Sequence, residues 1–445
     1  MVNDSRIVLH IGFDDIDSQF NGCTTHFTYK VVKELIYSLN NNDIEFIDYP
    51  NLVRLNPSIP FKTRGNAAVA LRFKVPINYE EFVIDSITRM LDRYISSYED
   101  RGGCEPGFTV IEGDVPEVLN KLYMRALTDY VHIDYVKNII NKTYNLRLPV
   151  GISRGIIGAL AAIGWMQGTD CTYELIAYRN LINDSNRCVV SDSVKEADLK
   201  YKDYVFNNYD YESNSVLITP HGSNPVLLGI RGENPEVLIK YFNELNICET
   251  YSGYMIFRSN QGTDSHLIKR DINEVRPYRT LCVDVSFKSK PTTLRGGDII
   301  IKINKDPPIY AVFYKETSLS SIAKELKEND EVFLCGSVKQ WSDLTNVINV
   351  EKIFIKRKNR TYIHNPKCPI CGKRMKSAGN NKGFKCEKCG FKSKDVSKEI
   401  INVNEEINKL FITKINTMKH LTKPLCRYGR EKRCNFTKPT SIWIS

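Results

Sequence analysis

Four cysteines constrain this chain more tightly than anything else in it. Cys368-Pro-Ile-Cys371 and Cys386-Glu-Lys-Cys389 are two Cys-x-x-Cys knuckles, each followed by a glycine, Gly372 and Gly390. Two thiolates this close share one ion only where the backbone turns tightly, and the glycine permits that turn. Four thiolates suit tetrahedral Zn2+ and leave no open position for chemistry, so Cys368, Cys371, Cys386 and Cys389 predict a structural zinc ribbon. The 14 residues between the knuckles fall just under the usual interval. Lys367, Lys373, Arg374, Lys376, Lys382, Lys385 and Lys388 surround them, a coat suited to a phosphate backbone.

The other nine cysteines are scattered: Cys23, Cys104, Cys171, Cys188, Cys248, Cys282, Cys335, Cys426 and Cys434. Several lie in apolar runs, and they read as small buried hydrophobes of a reducing compartment, not as a disulfide framework. Charge is uneven. Residues 351–445 carry 24 Lys+Arg against 7 Asp+Glu, whereas the preceding 350 carry 38 against 45. That asymmetry fits a polyanion-binding module on a near-neutral body, or a basic solvated face. The length of 445 residues implies about two to four domains. No apolar run reaches membrane-spanning length and Met1–Arg6 lacks a signal-peptide pattern, so the expectation is a cytoplasmic protein without a membrane.

The N-terminus opens with a strand, Ile7–Ile11, that runs into the acidic loop Asp14-Asp15-Ile16-Asp17. Apolar positions Phe27, Val31, Val32, Leu35, Ile36 and Leu39 then mark one face of a helix, with Thr24 or Thr25 placed to cap it. A strand over Ala67–Phe73 and a helix near 80–98 follow, and alternating helices and strands continue to about 265; this half is α/β or α+β. Beyond 275 the pattern predicts strands near 279–288, 298–305 and 308–315, a helix over Ser320–Asn329, and strands near 331–339 and 346–357. Five strands with a helix between the third and fourth is the OB-fold order, although another small β-domain fits the same pattern.

Asp14, Asp15 and Asp17 crowd three carboxylates at a strand end, where they repel unless a cation neutralises them. Mg2+ bridges one or two carboxylates to substrate phosphates, and the helix beginning near Thr25 adds a positive dipole end. Acidic surface turns look the same in sequence. Lys62-Thr-Arg64-Gly65-Asn66 and Ser153-Arg154-Gly155-Ile-Ile-Gly158 are further loops that suit phosphate. No G-x-x-x-x-G-K-[ST] run occurs, which excludes a P-loop enzyme, and no protein-kinase motif set is present.

The run Gly12-Phe-Asp-Asp-Ile-Asp-Ser18 followed by Gly22-Cys-Thr-Thr25 resembles the opening of the archaeal agmatinylcytidine synthetases. The likeness extends through Leu52–Pro60, Lys62–Asn66, Pro106-Gly107, Arg154–Leu160, Thr172–Arg179, Pro225–Gly232, Asn260-Gln-Gly-Thr-Asp264, the ribbon and Lys419–Pro424. The resemblance implies a multidomain α+β chain: a kinase-like catalytic domain (1–148), a ferredoxin-like domain (149–272), an OB-fold (275–358), a zinc ribbon (361–395) and a basic helical tail (396–445). It also implies ATP-dependent conversion of the wobble cytidine of the minor, CAU-anticodon isoleucine tRNA to agmatidine, with agmatine as the amine. On this likeness Asp14, Asp15 and Asp17 handle Mg2+ and the ATP phosphates, with Asp14 and Asp17 as Mg2+ ligands. Thr24 matches an autophosphorylated threonine, beside Thr25. Lys62, Arg64, Gly65, Asn66, Arg154 and Gly155 would serve phosphate. Arg231, Gly232, Asn260 and Asp264 would form the agmatine pocket, with Asp264 on the guanidinium. The sequence departs from the family pattern at Ile16, where Thr is usual, at Ser259, in Gly296-Gly-Asp-Ile299, and around Lys315–Ser320. The competing reading is a non-catalytic RNA-binding protein whose front half is a scaffold.

Overall fold

The computed structural model describes residues 5–18, 22–39, 43–62, 65–98, 103–180, 187–220, 222, 224–341 and 345–445. In chain order the front half comprises β1 (Arg6–Asp14), α1 (Thr24–Ser38), β2 (Glu45–Phe46), β3 (Asn51–Arg54), β4 (Ala67–Pro76), α2 (Glu80–Ser96), β5 (Gly107–Glu112), α3 (Glu117–Thr128), α4 (Ile133–Ile140), β6 (Leu146–Arg147) and α5 (Ile156–Gly164). These are followed by β7 (Thr172–Arg179), α6 (Ser191–Lys200), β8 (Tyr209–Asp210), β9 (Ser215–Val216), β10 (Val226–Gly232), α7 (Pro235–Glu244) and β11 (Tyr251–Ser259).

Period-two alternation splits β4 between two cores. Val69, Leu71, Phe73 and Val75 face α1 and α2, while Ala68 and Ala70 face α3 and α5. The small residues on the second face let α5 lie very close to the sheet. At Gly12 in β1, any Cβ would stand 2.3 Å from the carbonyl oxygen of Ala159. One mixed sheet, in the order β10-β7-β11-β3-β4-β1-β5-β6 with β2 beside β4, spans the whole front half. The join is the parallel pair β11/β3, where Arg258 meets Asn51 and Ser259 meets Leu52. Beneath it Arg258 and Asp48 form a fully buried ion pair at 2.7 Å, and the guanidinium lies 4.2 Å over the Trp165 ring. Removing one partner of such a pair costs about 3–5 kcal/mol, because the other charge is left bare.

The second sheet contains β12 (Thr280–Ser286), β13 (Thr292–Thr293), β14 (Ile299–Lys305) and β15 (Pro308–Phe313), then, after α8 (Leu319–Lys324), β16 (Glu331–Gln340) and β17 (Asn346–His364). The expected strands and helix are all present, but the helix stops at Lys324. The last strand outruns its expected end at 357: it pairs with a late strand (Glu399–Ile412) from Lys352↔Ile412 to His364↔Glu399, and beyond Arg357 it no longer pairs with β16. The cysteine knuckles sit at the tip of this ribbon-like arm, around three two-residue strands.

The tail is not helical as expected. Its β-branched run, Ile400, Ile401 and Val403, favours the strand, and only short 3-10 turns follow. The chain then laces back across the front half. Phe436 lies 5.0 Å from the Arg72 guanidinium and 5.6 Å from that of Arg258. Trp443 packs on Phe46 and Tyr49, and its carbonyl accepts from Ile256 N at 2.9 Å. Some of the tail's basic charge is therefore spent inside: Arg427, 1% exposed, is held by Asp170 and Glu233.

The scattered cysteines also need correction. Cys171–Cys434, Cys188–Cys248 and Cys282–Cys335 are disulfides, across separations of 263, 60 and 53 residues. Sequence spacing carries no sign of such partners. Among the described residues no helix is long and apolar enough to cross a membrane.

Candidate active site and zinc ribbon

β1 delivers Asp14 to the edge of a cavity of about 1000 Å3. The chain turns sharply at Asp15, whose φ of 53° is left-handed. Asp14 accepts from the Asp15 N–H at 2.8 Å, Asp15 accepts from Glu105 N at 3.1 Å, and Cys104 Sγ donates to the Asp15 carbonyl. The Asp14 carboxyl presses on the first turn of α5: a Cβ at Gly158 would lie 1.8 Å from its Oδ2. Gly155 is also packed too tightly for a side chain, with a hypothetical Cβ 2.4 Å from Gly107 N. Both glycines of the Arg154–Gly158 run are therefore dictated by close packing. Burial pushes the Asp14 carboxyl well above the usual carboxylate range, and Asp15 and Asp17 push it further; the Asp15 N–H and Arg154 oppose them. A cation relieves that strain, and the carboxylate set fits Mg2+. Among the described residues these aspartates do not bring three ligand atoms within 4.8 Å of one another, so phosphate oxygens and water would complete such an ion's shell.

Thr24 and Thr25 open α1 and line the same cavity. The cap position belongs to Cys23, extended at φ −167° and making no side-chain cap bond, so neither threonine is the expected cap. Thr24 Oγ1 instead accepts from Ile16 N at 3.4 Å, and Thr25 Oγ1 lies 3.1 Å from Cys23 Sγ. Lys62, Gly65, Asn66, Arg154 and Gly155 also line the cavity. Asn66 mainly organises its loop, donating to the Asn56 carbonyl at 2.7 Å. Arg64 lies outside the described residues.

The cavity is also lined by a buried charge cluster of which sequence reasoning named only Arg231. Glu174 sits between Arg54 and Arg231, 3.5 Å from each, and Arg54 Nε donates to Gln261 at 3.3 Å. Gly229 leaves room for the carboxylate, since a Cβ there would stand 2.8 Å from Glu174 Oε1. His420, brought in from the tail, is held well below its usual pKa by Arg54, then by burial, Arg231 and Lys62. It is a neutral imidazole beside a crowd of cations, and such a cavity favours polyanionic ligands.

At the arm's tip the four knuckle sulfurs lie within 4.8 Å of one another, the only such metal-binding group among the described residues. Cys368–Cys389 and Cys371–Cys386 approach to 3.4 and 3.5 Å. Gly372 and Gly390 take φ of 70° and 77°, and each donates its N–H to the first cysteine of its knuckle. The donor set fits Zn2+.

Three family models match in order: the TiaS TCKD domain over residues 10–77, the TiaS FLD domain over 153–266 and the TiaS C-terminal zinc ribbon domain over 365–407. The chain is 39% identical to the isoleucine-tRNA 2-agmatinylcytidine synthetase TiaS of Ignisphaera aggregans, with 96% of this chain and 94% of the relative covered. It is 40% identical to that of Staphylothermus marinus, with coverage of 96% and 95%. It belongs to the isoleucine-tRNA 2-agmatinylcytidine synthetase family. A solved complex of TiaS with its isoleucine tRNA and ATP superposes with a TM-score of 0.79 at 30% identity, covering 97% of this chain and all of that one. A complex of TiaS with the same tRNA, AMPCPP and agmatine does so at 0.76 and 27%, with the same coverage.

Within this TiaS-family chain, the residues expected to hold agmatine are only partly at the cavity. Arg231 lines it; Gly232, Asn260 and Asp264 do not. Asp264 is taken by the second sheet and the tail: Lys352 Nζ at 2.5 Å, Lys423 N at 2.6 Å and the Tyr428 hydroxyl at 3.2 Å. It is not available to a guanidinium. Asn260 clamps the backbone N–H and carbonyl of Arg54 at 2.7 and 2.9 Å, so it positions a wall residue. Gly232 packs on the Tyr204 carbonyl, where a Cβ would come within 2.6 Å. The missed Glu174 and Arg54 had a sequence signal: each is a lone charge inside an apolar strand run.

Proposed function

We propose that this chain is an ATP-dependent ligase that converts the wobble cytidine of the CAU-anticodon isoleucine tRNA to agmatidine, so that the anticodon reads AUA. The observation that carries the reading is one cavity lined both by three aspartates near a helix N-terminus and by Glu174 between two arginines. The aspartates and the helix N-terminus suit a metal-bound triphosphate. Glu174 also lines the cavity, unlike Asp264, so agmatine's guanidinium would take the place of one of its two arginines there. The names of the solved TiaS complexes, with an isoleucine tRNA, ATP and agmatine, support the same ligands.

The cytosine C2 oxygen is a poor leaving group. Transfer of a phosphoryl group from ATP to that oxygen makes it a good one. The primary amine of agmatine then attacks C2, the C2–O bond breaks and phosphate departs. Asp14, Asp15 and Asp17 orient the phosphates, with Asp14 and Asp17 as ligands of the Mg2+ that offsets their charge. Lys62, Arg64 and Arg154 neutralise the transferring group, as cations do in phosphoryl transfer generally. Thr24, with Thr25 beside it, is the candidate phosphoacceptor; reaching it requires release of the bond from Ile16 N.

In domain terms the reading takes residues 1–148 as kinase-like, 149–272 as ferredoxin-like, 275–358 as an OB-fold and 361–395 as the ribbon. Support for the OB-fold is the strand order β12-β16-β17-β15-β14 with β15 and β17 parallel. The enzyme would work in the cytoplasm, where its tRNA is. Purified protein given Mg2+, ATP, agmatine and unmodified tRNA should shift the mass of the wobble nucleoside by agmatine minus water. Bound tRNA with an unchanged nucleoside would favour the scaffold reading.

A further inference from the structure

A row of exposed rings leaves the cavity toward the second sheet. Phe61, Tyr130 and Tyr278 are 55%, 38% and 37% exposed, yet their ring centroids follow one another at 6.2 and 6.3 Å. They come from three distant parts of the chain: the loop after β3, the connection between α3 and α4, and the entry to the second sheet. The rings are tilted by 52° and 46°, so they do not close on one another; the Arg154 guanidinium lies 5.5 Å from the Phe61 ring centroid, on one of its faces. Phe61 and Tyr130 line the cavity. Tyr278 lines a second groove of about 600 Å3, shared with Tyr314, Lys339, Lys62 and Lys419; the two lysines last named line the cavity as well. The row is thus a path from one space to the other.

Tyr278 adds an independent sign. Its φ of 67° is left-handed, a conformation that a bulky aromatic residue adopts only when its surroundings impose it, and such strain gathers at functional positions. Here its N–H donates to the Val338 carbonyl at 2.9 Å and its carbonyl accepts from Asn56 at 2.7 Å. The backbone is pinned from both sides and the ring is presented outward. Charge points to the occupant. Lys62, Lys339 and Lys419 converge on the groove, Lys419 being paired with Glu351 at 2.8 Å. A protein partner would call for a broad apolar patch; separated rings flanked by ammonium groups match bases and phosphates.

We infer that the Phe61–Tyr130–Tyr278 row, with Lys62 and Lys339, binds two or three unpaired nucleotides of the substrate RNA adjoining the nucleotide in the cavity. This rests on the cavity being the place where a base is modified. The bases stack on the exposed parts of the rings and their phosphates meet the lysines, so the site requires unpaired RNA and tolerates different bases.

The test uses the full zinc-loaded chain and a fluorescein-labelled anticodon stem-loop RNA with a CAU anticodon. Parallel RNAs are abasic at the loop nucleotide on either side of that cytidine. Tyr278→Asn removes the ring while tolerating the left-handed backbone, and Tyr278→Phe keeps the ring. By anisotropy, Asn should weaken binding about 10-fold, in the range of one base–aromatic stack, and Phe should bind like the parent. One abasic RNA should lose affinity for the parent and be bound equally by parent and Tyr278→Asn. ATP binding without RNA confirms folding. Equal losses for Asn and Phe, or a Tyr278→Asn loss undiminished on every abasic RNA, would overturn the inference. So would unchanged RNA affinity, which would leave the row to a protein partner. Because the assay reads binding alone, failure of the nucleoside mass shift would be seen separately.

Discussion

Gly158→Ala isolates the geometry on which the catalytic reading depends. The new Cβ would stand 1.8 Å from Asp14 Oδ2, whereas real Cβ contacts essentially never fall below 3.0 Å. Something must move by more than 1 Å, and the end of the Asp14 side chain is what can. The backbone has no objection: Gly158 lies in the first turn of α5 with no left-handed φ, a conformation alanine adopts freely. Folding should therefore survive while the carboxylate is displaced. Misplacement of a catalytic group by about 1 Å costs on the order of 100-fold in rate. The assay is the wobble-nucleoside mass shift under steady-state conditions, with tRNA affinity and Tm measured in parallel. Gly296→Ala, at a glycine with nothing within 4 Å of its hypothetical Cβ, is the neutral control. The expected pattern is a roughly 100-fold loss of kcat with tRNA affinity and Tm close to the parent's. Undiminished turnover would refute the placement of Asp14 against α5, and global unfolding would refute the claim that only the side chain yields.

Asp14→Asn should abolish turnover and raise stability at neutral pH. The folded-state pKa of Asp14 lies above its ordinary 3.8, so the wild type loses stability as pH rises from that value through the raised one. The Tm advantage of the variant should therefore shrink toward pH 4; a constant advantage would point to another cause. Glu174→Gln should raise the KM for agmatine more than that for ATP. Asp264→Asn should leave the agmatine KM unchanged but destabilise the protein, by up to about 3–5 kcal/mol in urea titration, because Lys352 loses its carboxylate; the opposite pair of results would restore Asp264 to the amine site. Cys371→Ser should release zinc and weaken tRNA binding, and retained one-to-one zinc by elemental analysis would contradict the four-thiolate site.

Local features were legible in the sequence because their cause is local. The Cys-x-x-Cys-Gly knuckles, the strand ending in Asp14 and the second sheet's strands with their intervening helix all follow from spacing within a few residues. The disulfides, the course of the tail and the charge cluster of the cavity were not, because each joins residues far apart in the chain. Asp264 and Glu174 illustrate the difference. Both are acidic residues in recognisable blocks, and only packing shows that one is locked to Lys352 while the other faces the cavity.

By itself, then, the sequence determined a zinc-stapled basic arm, an acidic loop with no P-loop partner, and the family. The tertiary structure decided which charges remain for chemistry. Arg427 and Asp264 are paired away from the cavity, whereas Arg54, Glu174 and Arg231 pair with one another at its surface, across separations of 120 and 57 residues. The physical reason is that burying a charge is costly unless it is paired. Which carboxylate pairs with which cation is set by three-dimensional packing, and no periodicity along the chain records it.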